Sequence, residues 1–150
     1  MLSLAEQLQL SGLLLVTLVL SGLVGAERER RDKSAGLRTH ILVGMTACLL
    51  TIISRTAFTG GDPTRIAANV ITGVGFLGAG IIIERQNQMR DLTTAASIWT
   101  TSAIGMTVGA GAWLIAVIAT LLSWFTLFVL HDWEQKIWEE AEEERRQEQQ

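Results

Sequence analysis

The sequence predicts an all-α membrane protein, a bundle of about five transmembrane helices followed by a short charged C-terminal helical tail. Three observations carry this reading. Of 150 residues, 49% are apolar and the mean hydropathy is +0.34, oilier than a soluble domain of this size needs to be. From Leu92 to Leu130 run 39 residues without one Asp, Glu, Lys, Arg or His, a helical length of about 58 Å and so two crossings of a hydrocarbon core about 30 Å thick. Charge is also segregated, since residues 131–150 hold eight acids and three bases (net −5) and residues 1–130 hold seven acids and nine bases (net +2). The chain therefore divides into a transmembrane domain, 1–130, and a cytoplasmic tail, 131–150.

The first span covers about 8–26. Its positive charges follow the apolar run, which fits a membrane helix better than a cleaved secretory leader. The second, 40–54, opens at Arg38-Thr39-His40. His40 reads there as a polar anchor at the membrane boundary or as a proton-sensitive switch, and His131 is a similar anchor. Cys48, the only cysteine, reads as a small packing residue. The third span, 66–83, is entered through Asp62-Pro63, an N-cap followed by proline at the first helical position. The fourth, 94–108, has capping side chains at Asp91, Thr93 and Thr94. At roughly 15 uncharged residues each, the second and fourth are short for a full crossing. A tight hairpin at Gly109-Ala110-Gly111-Ala112, the weak helix formers near the middle of the long run, leads to the fifth span, 113–130. Trp133, Ile137 and Trp138 give the start of the tail an interfacial face.

Residues 73–80, GVGFLGAG, satisfy the G-x-G-x-x-G pattern of a dinucleotide turn. That turn needs a preceding strand and a helix N-terminus at the glycines, whereas Gly73 lies inside an uncharged span with its own cap at Asp62. No nucleotide is expected. On a helix the segment places Ala68, Thr72, Gly75 and Ala79 on one small-residue stripe and Asn69, Gly73, Phe76 and Gly80 on a second, with Val70, Ile71, Val74, Leu77 and Ile81 opposite. The expectation is that the small stripes, Gly78 included, pack against other helices while the large apolar face meets lipid. Asn69, the one amide well inside a span, needs a helix or partner to bond. In the fourth span Thr94, Ser97, Thr101 and Gly105 share a face, read as interhelical glue or as the wall of a polar permeation path.

Orientation follows from the basic residues. The first and third loops hold seven Lys and Arg (Arg28, Arg30, Arg31, Lys33, Arg38, Arg85, Arg90) against two, Arg55 and Arg65, in the second. This puts the N-terminus outside and the tail in the cytoplasm. Glu27, Glu84 and Asp91 then gather on the cytoplasmic side, where carboxylates could take a hard cation such as Mg²⁺. Ion pairs with neighbouring arginines and helix caps account for the same residues. No His/Cys cluster suits zinc and no Ser/His/Asp spacing suits hydrolysis, so neither an enzyme nor a resident cofactor is expected. The lipid bilayer, a membrane partner or a second copy is the expected company, with no nucleic acid.

Three stretches, LSGLVGAERERRDKSAGLRTHILVG (20–44), DPTRIAANVITGVGFLGAGIII (62–83) and RDLTTAASIWTTSAIGMTVGAG (90–111), resemble the MgtC/SapB family of bacterial inner-membrane proteins over about 90 residues. The resemblance implies a multi-helix protein linked to magnesium homeostasis, some relatives being needed for growth at low magnesium and for survival inside host cells. The MgtC type is described as restraining the F-type ATP synthase through its membrane domain. This chain is similar to the short SapB-like form, with an acidic tail in place of a soluble C-terminal domain. An older label for the family, a magnesium transport ATPase subunit, conflicts with the lack of a Walker A lysine and of a nucleotide domain. The leading expectation is a regulatory membrane protein acting by intramembrane contacts in stress adaptation, and the alternative is a small ion or solute transporter or channel.

Overall fold

The computed structural model describes residues 2–57, 62, 64–84 and 91–129; the side chains of Ile83 and Glu84 and the tail, 131–150, lie outside the described residues. Five helices form an all-α membrane bundle: α1 (Leu4–Arg30), α2 (Leu37–Thr56), α3 (Thr64–Glu84), α4 (Leu92–Gly109) and α5 (Trp113–Val129). Among the described residues there is no strand. Three helices, α1, α2 and the Thr64–Ile82 part of α3, are long and apolar enough to cross a membrane, and α5 is a shorter apolar helix.

Local chemistry sets the helix ends. α1 begins four residues before its apolar core because Ser3 and Glu6 close a capping box: the Glu6 amide donates to Ser3 Oγ (3.3 Å) and the Ser3 amide to Glu6 Oε2 (2.7 Å). Asp62 caps α3 as expected, its Oδ1 accepting from the Thr64 amide at 2.9 Å. Asp91 does not cap α4 with its side chain, although it occupies the N-cap position. Its carboxylate is taken instead by hydroxyls, described below. α4 ends at Gly109, Gly111 turns the chain at φ +90°, and α5 starts at Trp113.

Packing reveals the topology. Gly25 sits against Leu37 and His40, and Gly44 against Ser21, so α1 and α2 run antiparallel. His40 meets Ser97, Gly44 meets Gly105 and Cys48 meets Gly109, so α2 and α4 run parallel, side by side. Leu20, Val24, Cys48, Ile52, Ile104, Val108 and Ala116 fill the centre. A second cluster of Ala35, Ala47, Val70, Val74 and Ile98 seats α3 on α2 and α4.

The orientation of α3 departs from the expectation in part. Of its large face, Val70, Val74 and Ile81 pack inward while Ile71 and Leu77 stay exposed, and a Cβ at Gly73, Gly75 or Gly80 would meet nothing within 4 Å among the described residues. The inward-packing residues seat on Ala47 of α2 and Ile98 of α4, with Val43, Leu50 and Met106 packed beside them. Only Gly78 among the four touches a neighbour, Ala95 Cβ, at 3.6 Å. Close helix approach happens at Gly105 and Gly109 instead, where a Cβ would strike the Gly44 and Cys48 carbonyls.

Candidate functional site

At the end of the bundle where α1 stops and α2 and α4 begin, charged and polar side chains are buried together. Glu27 and Arg28 are each 3% exposed, Asp91 6%, and His40 and Thr94 fully buried. Arg28 Nη2 donates to Thr94 Oγ1 at 2.8 Å and approaches Thr93 Oγ1 at 3.5 Å. Asp91 Oδ1 accepts from Ser34 Oγ (3.1 Å) and lies 3.4 Å from Thr94 Oγ1, which explains why it leaves the α4 amides uncapped. His40 Nδ1 bonds the Gly36 carbonyl at 2.9 Å and Nε2 reaches Ser97 Oγ at 3.1 Å. His40 is thus an interior residue and not an anchor in the interface.

The two sequence-predicted carboxylates that are described flank Arg28 electrostatically, but they face different partners. Glu27 pairs with Arg31 one turn on, and Arg31 in turn donates to the Phe128 carbonyl (3.3 Å) and lies 5.5 Å from the Phe128 ring centroid, tying α1 to α5. Glu84's side chain lies outside the described residues. Among the described residues no three His, Cys, Asp or Glu side chains group as metal ligands.

Of the hydroxyl stripe, Thr94, Ser97 and Thr101 all face inward and are at most 4% exposed. Thr101 Oγ1 donates to the Ser97 carbonyl and Ser97 Oγ to the Thr94 carbonyl, both at 2.8 Å. Hydroxyls in α5 do the same, Ser123 to Ala119 and Thr126 to Leu122. The preceding-turn carbonyl is always within reach in a helix, so within this stripe, among the described residues, only Thr94 and Ser97 link helices. Thr93, Ser97, Thr100, Ser123 and Thr126 also line a cavity of about 330 Å³ between α4 and α5.

The second region is the outer side of α3. Asn69 is exposed and borders a groove of about 580 Å³ between α2 and α3, with Leu42, Leu50, Gly73, Leu77 and, on its floor, Ser102. Ser102 is 3% exposed, and its Oγ has no hydrogen-bond partner among the described residues. Outside the membrane-spanning segments, Asp62's carboxyl is held below the usual carboxylate range by hydrogen bonds from the Thr64 hydroxyl and amide.

Sequence reading missed the interior role of Arg28 and His40, for which single-helix periodicity offers no signal. It also passed over Gly105-Met106-Thr107-Val108-Gly109, a small-xxx-small pattern that marks the α4 face touching α2.

Comparison with known proteins supplies the remaining constraint. No solved structure matches the chain. It is 44% identical over 126 residues to "Putative magnesium transporter YhiD" of Escherichia coli K12, covering 79% of this chain and 59% of that protein. To the Protein MgtC of Brucella abortus 2308 it is 43% identical over 103 residues, 69% of this chain and 43% of the relative. To the Protein MgtC of Salmonella typhimurium 14028s it is 39% identical over 124 residues, 83% and 53%. The chain thus spans about half the length of the curated relatives it matches. The MgtC family model matches residues 14–136, the whole of the bundle core from the middle of α1 to the end of α5, and the chain belongs to the MgtC family.

Proposed function

We propose that this protein is a non-catalytic regulator in the bacterial inner membrane, linked to magnesium homeostasis or stress adaptation. It acts by offering the outer side of α3 to another membrane helix. The observation that carries this is the open face of α3: Gly73, Gly75 and Gly80 have no neighbour within Cβ reach, and the Asn69 amide has no hydrogen-bond partner among the described residues. An amide in a spanning helix is costly unless bonded, and small residues let a second backbone approach closely. The magnesium link rests on the name of the Escherichia coli relative and on the family resemblance. The resemblance also nominates the F-type ATP synthase as one partner. Basic loops put the N-terminus outside and the tail inside.

A transporter reading is favoured by the hydroxyl-lined cavity between α4 and α5 and by the relative's name. Against it, the α2 and α4 backbones touch at Gly44 and Gly105, and the centre is filled by Leu20, Ile52, Ile104 and Val108. The readings separate in liposomes holding only this chain. The regulator reading predicts no cation flux above that of empty vesicles, together with a co-purifying membrane partner lost on Asn69→Leu or Gly75→Leu. Reproducible Mg²⁺ flux abolished by neutralising Glu27, Glu84 and Asp91 would replace it with the transporter.

A further inference from the structure

In a membrane helix a Ser or Thr hydroxyl commonly ends on the carbonyl of the preceding turn. Thr51 and Thr56 of α2 do so at 2.8 Å, as do Thr101 and Thr107 of α4. Thr46 of α2 and Ser102 of α4 do not: neither hydroxyl has a hydrogen-bond partner among the described residues, and neither does the Asn69 amide of α3. These three side chains come from three helices and line one groove of about 580 Å³. Leu42, Thr46 and Leu50 form its α2 wall and Asn69, Gly73 and Leu77 its α3 wall, each set spaced by four residues and so on one helix face. Ser102, 3% exposed, lies on the floor. None of the lining residues is charged.

We propose that this groove binds an uncharged, lipid-soluble carbonyl compound of the isoprenoid quinone class, its ring oxygens accepting from Ser102, Thr46 and Asn69 and its chain lying along the apolar walls. An unpaired charge in hydrocarbon is expensive, so a neutral lining takes a neutral ligand. Two hydroxyls and an amide NH2 all donate, and carbonyl oxygens are the matching acceptors. Depth selects among carbonyl compounds. Thr46 stands at the middle of the spanning helix α2 (Leu37–Thr56) and Ser102 near the middle of α4 (Leu92–Gly109). The ester carbonyls of a glycerolipid stay at the interface, about 15 Å away across half of a hydrocarbon core about 30 Å thick, whereas a quinone carries its polar atoms on a ring that moves through the core.

Size separates this ligand from a partner helix. A helix about 10–12 Å wide with its side chains rests on the two walls, while a flat ring passes between them to the floor, and the volume falls within the range of small-molecule sites. Binding is by hydrogen bonds and apolar contact, and no covalent bond forms or breaks. The site goes beyond the proposed partner face. Asn69 and Gly73 border both, but Gly75, Phe76 and Gly80 do not line the groove and Thr46 and Ser102 play no part in the partner reading, so either can fail alone.

The test is photolabelling of the full chain in quinone-free phospholipid nanodiscs with an azido derivative of decylubiquinone, the adducts being mapped by mass spectrometry. The expected result is saturable labelling confined to residues 42–50 and 66–77 and the Ser102 region, displaced by unlabelled decylubiquinone and not by the same amount of diacylglycerol. Ser102→Ala and Thr46→Val should each raise the quinone fraction needed for half-saturation by about three- to tenfold, the loss of one neutral hydrogen bond. Thr72→Val is the control, since the Thr72 hydroxyl donates to its own Ala68 carbonyl, and it should leave half-saturation unchanged. Labelling that does not saturate or is spread over the lipid-facing sides of α1 and α5, displacement by diacylglycerol equal to that by decylubiquinone, or half-saturation unchanged in both groove variants overturns the proposal. Should Ser102→Ala fail to fold, Thr46→Val and the displacement pattern of the unaltered chain decide.

Discussion

The backbones of Gly44 and Gly105 are in contact: a Cβ on Gly105 would collide with the Gly44 carbonyl oxygen. Gly105 cannot be enlarged without separating α2 from α4, and a Cβ on Gly44 would strike Ser21 of α1. Gly105→Ala should therefore destabilise the bundle by about 1–3 kcal/mol, read as a lowered thermal midpoint in detergent. Gly75→Ala, with nothing among the described residues within 4 Å of the added carbon, should leave the midpoint unchanged or slightly raised through its gain in helix propensity.

Thr94 is the side-chain acceptor that Arg28 Nη2 holds at 2.8 Å. Thr94→Val keeps the volume and removes the acceptor, leaving a buried guanidinium N–H poorly matched. A loss of about 1–3 kcal/mol is expected. Thr100→Val is the control, since the Thr100 hydroxyl only back-bonds to its own Ala96 carbonyl, and it should cost less than half as much.

Arg55 reaches across from the end of α2 to the last carbonyls of α4, donating from Nη1 to Gly109 at 2.9 Å. Arg55→Met retains much of the stem and drops the cap. The cost should be about 1 kcal/mol, with faster hydrogen exchange confined to residues 108–113.

Asp62 gives a local pH dependence. Its carboxyl is held low by two hydrogen bonds from Thr64, so its contribution to the start of α3 is present above the ordinary carboxylate range and lost as pH falls through the lowered value. Protection of the Thr64 and Arg65 amides, corrected for intrinsic exchange, should hold down to about pH 4 and fall below it. In Asp62→Asn, which keeps a capping oxygen, that dependence should vanish.

Much of the fold was legible because the bilayer imposes length and composition on each segment. The hairpin at Gly109 to Ala112 and the cap at Asp62 follow from local chemistry alone. The facing of α3 was not legible. Small residues predict that some backbone will come close, but Gly73 and Gly105 look alike in sequence, and only the partner surface decides which one is used. Arg28 and His40 were hidden for a related reason. A charge near a span end reads as interfacial until the neighbouring helices are placed, and here α4 brings Thr94 and Ser97 to meet them.

The central claim is that the outer side of α3 receives another membrane helix. Phe76 lies on that side, 81% exposed, and photo-crosslinking from a benzophenone side chain at position 76 in native membranes tests the claim most directly. The account predicts a discrete protein adduct, to a second copy or to another membrane protein, that disappears in Gly75→Leu while the thermal midpoint is unchanged. Adducts to lipid alone in otherwise folded protein would contradict it.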